Sequence, residues 1–124
     1  MHPTDLLRRV RVQEDVESGA MHLELLESYL NYSHADDLKQ TLRELVQDAL
    51  DSGTRRFVVD LSHVSVMDSC GLSVLIGLRK QIDAHEGSVA LAAMSPMIRR
   101  LFSITRLDRV FEIYDDASDA TLHR

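Results

Sequence analysis

Asp68, Ser69 and Cys70 stand side by side in Val66-Met67-Asp68-Ser69-Cys70-Gly71-Leu72, and each of the three can do chemistry. An apolar run precedes this segment and a helical pattern follows it, so it reads as a strand-to-helix turn. In open α/β sheets, sites form at such turns, outside the C-terminal ends of the strands. Two readings of the turn are open. In one, Asp68 or Ser69 caps the helix, because Asp and Ser are preferred caps, and Gly71 permits tight packing. In the other, Ser69 is an exposed hydroxyl presented for modification. A helix N-terminus tolerates a phosphate, because free N–H groups and the dipole favour an anion. Asp68 opposes the added charge, so the net effect on the fold is expected to be small. Any large effect must then come from a partner surface.

Other chemistries find less support. Helix N-termini lower thiol pKa, which would suit a reactive Cys70. The chain has no other cysteine to resolve it, however, and cysteine is more often a small buried hydrophobe. A hydrolase nucleophile at Ser69 would need the G-x-S-x-G elbow, which is missing. His34, His63 and His85 have no triad spacing, and with His22 they have no metal-ligand spacing. A single cysteine excludes an intramolecular disulfide and a Cys-rich zinc site. Neither a Walker A motif nor G-x-G-x-x-G occurs. No catalytic set, cofactor or metal is expected. Tyr29, Tyr32 and Tyr114 form no stacking platform. Gly71 and Gly77 read as packing glycines, and Arg99-Arg100 as a solvated face or a partner contact.

The chain that must position this turn has 124 residues, enough for one domain over residues 1–124. It is 44% hydrophobic and 27% charged, which provides a core and a polar surface. The net charge of −6 argues against nucleic acid, whose phosphates require a basic face. No apolar run approaches the ~20 residues of a membrane helix, so no membrane insertion is expected. The start, MHPTDLLRRVRV, lacks the apolar region of a signal peptide. A reducing cytoplasm is the expected location.

Leu6 to Gln13 alternates apolar and charged residues as a half-buried strand, and Glu17-Ser18-Gly19 turns it into a second strand from Met21. Ser33 reads as the N-cap of a helix, with Asp36 completing a box-like pair. Ala35, Leu38, Leu42, Leu45, Val46 and Ala49 form its buried stripe. Phe57 to Leu61 reads as a central strand covered on both faces. A helix follows from Ser69 to Ala84, with Leu72, Leu75, Leu78 and Ile82 on one face. Gly87 reads as its left-handed cap. Val89 to Ala93 is a strand, and Ser95-Pro96 starts a third helix with Ile98, Leu101 and Phe102 inward. Arg109 to Tyr114 reads as the last strand and Asp115 to His123 as a short terminal helix. Strand–helix alternation predicts an α/β fold: a mixed central sheet, largely parallel, with helices packed against it and one antiparallel edge hairpin.

Residues 60–75, Asp-Leu-Ser-His-Val-Ser-Val-Met-Asp-Ser-Cys-Gly-Leu-Ser-Val-Leu, resemble the signature of STAS domains, D-L-S-x-V-x-x-[ILM]-D-S-[ST]-G-L-x-x-L. Ser95-Pro96 with Arg99-Arg100-Leu101-Phe102, then Leu107-Asp108-Arg109-Val110-Phe111, is similar to the family's later segment. Leu30-Asn31 with Ala35 and Leu38 is similar to its L-D-x-x-x-A-x-x-L. Cys70 stands where the family has Ser or Thr, Ser28-Tyr29-Leu30-Asn31 where it has G-E-L-D, and Arg106 where a glycine is usual.

The resemblance implies the STAS fold and the role of a bacterial anti-sigma factor antagonist, a binding protein and not an enzyme. In that family the serine after the motif aspartate, here Ser69, is phosphorylated by the anti-sigma factor, an ATP-dependent serine kinase. The unphosphorylated protein binds that kinase and frees the sigma factor. A PP2C-type phosphatase restores the active form. The implied partner-binding residues are Asp68, Ser69, Cys70, Asn31 and Ser33. The alternative is a STAS subunit of an ABC-type lipid transporter, bound to its ATPase with no kinase acting.

Overall fold

In a computed structural model, residues 10–33 and 35–122 are described. Strands β1 (Val10–Glu14), β2 (Met21–Leu25), β4 (Arg56–Asp60), β6 (Ser88–Ala92) and β7 (Glu112–Tyr114) form one sheet in the order β1-β2-β4-β6-β7. β1 pairs antiparallel with β2 at one edge and every other pair is parallel. This is the mixed sheet with an edge hairpin read from the sequence. The first expected strand began at Leu6, and its Leu6–Arg9 portion lies outside the described residues.

The helices are α1 (Ala35–Asp51), α2 (Ser69–Ala84), α3 (Pro96–Ile104) and α4 (Ala117–Leu122). β4 is central, and burial on both faces explains why its middle, Phe57-Val58-Val59, is apolar without a break. Phe57 and Val59 enter the main core with Leu38, Leu42, Val46, Leu75, Leu78, Ile82, Ile98 and Phe102. Val58 faces the other way, where α4 covers it with Ala120 against Ala90 and Ala92. The expected stripe of α1 holds, and the structure adds Thr41 and Leu50 to its buried side.

Two further strands escaped the sequence pattern. β3 (Tyr29–Leu30) and β5 (Val66–Met67) pair in parallel as a separate two-stranded sheet. Each has one inward apolar residue, Leu30 or Met67, too few for a period to emerge.

Several local expectations are corrected. α1 begins at Ala35, so Ser33 stands one residue outside the cap position, and its backbone N–H donates to Asn31 Oδ1 at 3.0 Å. Gly87 is not the left-handed residue after α2. Glu86 is, with φ 60°, and Gly87 is required because a Cβ there would lie 2.7 Å from the Arg55 carbonyl oxygen. Close packing does not require Gly77: a Cβ there would meet no atom within 4 Å. The last strand starts at Glu112, not Arg109, because Leu107–Arg109 form a 3-10 turn that delivers Phe111 against Phe102, ring centroids 6.0 Å apart. Arg106 takes the left-handed conformation at φ 61°, which accounts for the glycine usual at this place. The terminal helix starts at Ala117, and its expected end at His123 lies outside the described residues.

Candidate functional site

The Ser69 turn is built by Asp68. Asp68 has extended backbone (φ −107°, ψ −172°) and is the N-cap of α2. Its Oδ1 accepts the N–H of Cys70 at 2.9 Å and of Gly71 at 3.1 Å. Its Oδ2 accepts the N–H of Tyr32 at 3.2 Å, and its own N–H donates to the Leu30 carbonyl at 3.1 Å. One carboxylate therefore ties the start of α2 to the loop after β3. The β3–β5 pairing, Tyr29 opposite Val66 and Leu30 opposite Met67, holds the same two segments together. Gly71 seals the joint: a Cβ there would come within 2.8 Å of Leu30 Cβ and Met67 Cγ.

Ser69 follows as the first helical residue and is exposed. Because Asp68 does the capping, the Ser69 hydroxyl has no hydrogen-bond partner among the described residues. Its carbonyl accepts the Ser73 hydroxyl at 2.9 Å. Capping and presentation were alternatives in the sequence, and the structure divides them between adjacent residues. One expectation is corrected. The first turn is not a nest of free donors, because Asp68 already engages the N–H groups of Cys70 and Gly71. A phosphate on Ser69 would meet a cap already occupied by a carboxylate.

Among the other site residues expected from the sequence, Asn31 is half-buried. Its Oδ1 and carbonyl accept the N–H groups of Ser33 and Ala35, which turns the chain into α1. Ser33 is exposed, and Cys70 is a half-buried free thiol. Asp68, Ser69, Cys70, Asn31 and Ser33 thus belong to one cluster of two adjoining loops. Sequence reasoning missed the apolar surface beside them. Tyr32, which follows Asn31, is 77% exposed, and Tyr29 and Val66 are exposed opposite each other across the β3–β5 ladder. Tyrosine at such exposure suits an interface anchor. The two tyrosines flanking Leu30-Asn31 were the available signal.

Among the described residues of this cluster, no histidine bonds Ser69 or Cys70. Among the described residues no group of three or more His, Cys, Asp and Glu could hold a metal. No helix among them is long and apolar enough to cross a membrane. The described histidines, His22, His63 and His85, stand outside this cluster. His63 Nε2 pairs with Glu24 Oε2 at 2.5 Å on the open half of the sheet, where Arg11 also bonds Glu24 at 3.1 Å. The His63 contact, with Arg11 assisting, holds the Glu24 carboxyl below its usual range. Arg99 pairs with Asp115 at 2.7 Å, with both side chains exposed.

Fold and turn together define a small α/β domain that presents Ser69 at the start of a helix. Residues 10–120 match the STAS domain family, and the chain belongs to that family. A Thermotoga maritima protein provisionally named an anti-sigma factor antagonist is 35% identical over 71 residues, 57% of this chain and 63% of that one. The matched part thus spans just under two thirds of that relative. A crystal structure of a Thermotoga maritima protein of the same description has a TM-score of 0.75 at 27% identity, covering 94% of this chain and 95% of that one. The anti-sigma-B factor antagonist of Staphylococcus aureus is 34% identical over 77 residues, 62% of this chain and 68% of that one. Bacillus SpoIIAA, solved in a phosphorylated form, shares the fold: TM-score 0.62 at 18% identity, covering 90% of this chain and 95% of that one.

Proposed function

We propose that this domain is a cytoplasmic anti-sigma factor antagonist, switched off by phosphorylation of Ser69. In its unmodified form it binds an anti-sigma factor serine kinase through Asp68, Ser69, Cys70, Asn31 and Ser33, which releases the sigma factor. The kinase transfers the γ-phosphoryl group of ATP to Ser69 Oγ, the hydroxyl proton passes to a base on the kinase, and ADP leaves. A PP2C-type phosphatase hydrolyses the ester and restores binding. The domain itself catalyses nothing.

One observation carries this reading. Ser69 is exposed at a helix start and its hydroxyl has no hydrogen-bond partner among the described residues, while its neighbour Asp68 performs the capping. A phosphate there adds between one and two negative charges beside Asp68, and the fold does not need the hydroxyl it consumes. The charge falls where a partner must exclude water. A desolvated, uncompensated charge costs several kcal/mol, enough to abolish binding. The exposed Tyr29, Tyr32 and Val66 give the same surface its apolar contacts.

The test is a binding titration against an anti-sigma factor serine kinase from the same host, with wild type, Ser69→Ala and Ser69→Asp. Ser69→Ala should bind like wild type, and Ser69→Asp should lose binding by about a hundredfold or more with an unchanged melting temperature. Equal affinity of Ser69→Asp and wild type would remove the switch.

A further inference from the structure

A second surface stands apart from the Ser69 cluster, along the seam between α1 and α2. A trough of about 450 Å³ runs there over a floor that includes Leu42 and Leu78. Its rim carries Lys39 and Arg43 from α1 and Lys80 from α2. These include both lysines of a chain whose net charge is −6. No carboxylate lines the trough. The cations Lys39, Arg43 and Lys80 have no ion-pair partner among the described residues. Three acids of these helices are engaged elsewhere: Glu44 with Gln40, Asp51 with Gln47 and Asp83 with Arg79. Unpaired positive charge is thus gathered on one face of an acidic protein, where it attracts anions.

Two further features shape this face. Gly77 lies in the floor, and a Cβ there would meet nothing within 4 Å, so the glycine leaves a notch that core packing does not require. Gln81 Nε2 donates to the Arg43 carbonyl at 3.0 Å and to Gln47 Oε1 at 3.2 Å, which fixes the two helices and keeps the trough preformed. On α2 the lining runs from Val74 to His85, about 16 Å at the rise of an α-helix. That length suits an extended segment, since a small anion would cover only one pair of cations.

We infer that the α1–α2 trough docks an acidic amphipathic segment of a partner protein. Its carboxylates lie against Lys39, Arg43 and Lys80, and an apolar side chain enters the notch at Gly77. This docking needs neither Ser69 nor its phosphate.

The probe is an amphipathic peptide with glutamates flanking a leucine stripe, together with its lysine-for-glutamate counterpart. Both are titrated into the full chain while backbone amide shifts are followed. The glutamate peptide should shift residues of α1 and α2 around Lys39, Gly77 and Lys80, and the lysine peptide should not. Lys39→Glu with Lys80→Glu should weaken binding about tenfold or more, and added salt should weaken wild-type binding. Both lysines are exposed, so the fold should be unaffected. Gly77→Leu fills the notch without changing charge and should weaken binding while the helix is retained. Equal binding of the two peptides, or of neither, would overturn the inference. So would the same shifts produced by inorganic phosphate alone, which would make the trough a small-anion site, or by raising the protein concentration, which would make it a contact between copies.

Discussion

Two serines in this molecule stand at the starts of helices and do opposite things. Ser95 is itself the N-cap of α3: its Oγ accepts the Ile98 N–H at 3.2 Å, and Pro96 occupies the first helical position. Ser69 is one step further along, the first residue of α2, with Asp68 as the cap. A shift of one residue decides whether the hydroxyl is consumed by the backbone or left to solvent. A serine at a helix start is therefore ambiguous until its neighbour is known. An aspartate just before it frees the hydroxyl, because the carboxylate is the equal of serine as a cap and has a second oxygen to spare.

That comparison can be broken in graded steps. Gly71→Ala should have the largest effect on the fold, because its Cβ would press on Leu30 backbone and side chain and on Met67. About 3 kcal/mol of stability should be lost in denaturant unfolding, and kinase binding should weaken as the β3–β5 joint opens. Asp68→Ala removes two cap bonds and the link to Tyr32, and should cost about 2 kcal/mol. Ser95→Ala should cost about 1 kcal/mol and leave partner binding alone, since its role is structural. Ser69→Ala should change stability by less than about 0.5 kcal/mol. A cost for Ser69→Ala equal to that of Ser95→Ala would erase the distinction between the two serines.

The framework was legible in the sequence where burial imposes a period. The stripe of α1, the run Phe57 to Leu61 and the Ser95-Pro96 start all fall where their spacing placed them. The candidate site residues were named from the motif, but their arrangement could not be read there. The β3–β5 sheet is two residues per strand, below any periodic signal, yet it is what sets Asn31 beside Asp68. The bond from Tyr32 N–H to Asp68 joins residues 36 apart in the chain, and no local rule announces it. Exposed Tyr29 and Tyr32 read as ordinary aromatics until the fold left them uncovered. Arg106 shows the reverse case. Its departure from the usual glycine was visible in the sequence, and its left-handed backbone supplies the reason.

The central claim is that Ser69 is the modified residue. The direct measurement is intact mass and phosphopeptide mapping of the protein purified from its own host, with a candidate anti-sigma factor kinase present. One added phosphate is expected on Ser69, and none on Ser95. An unmodified Ser69 under every growth condition, with that kinase active on a known antagonist, would contradict it.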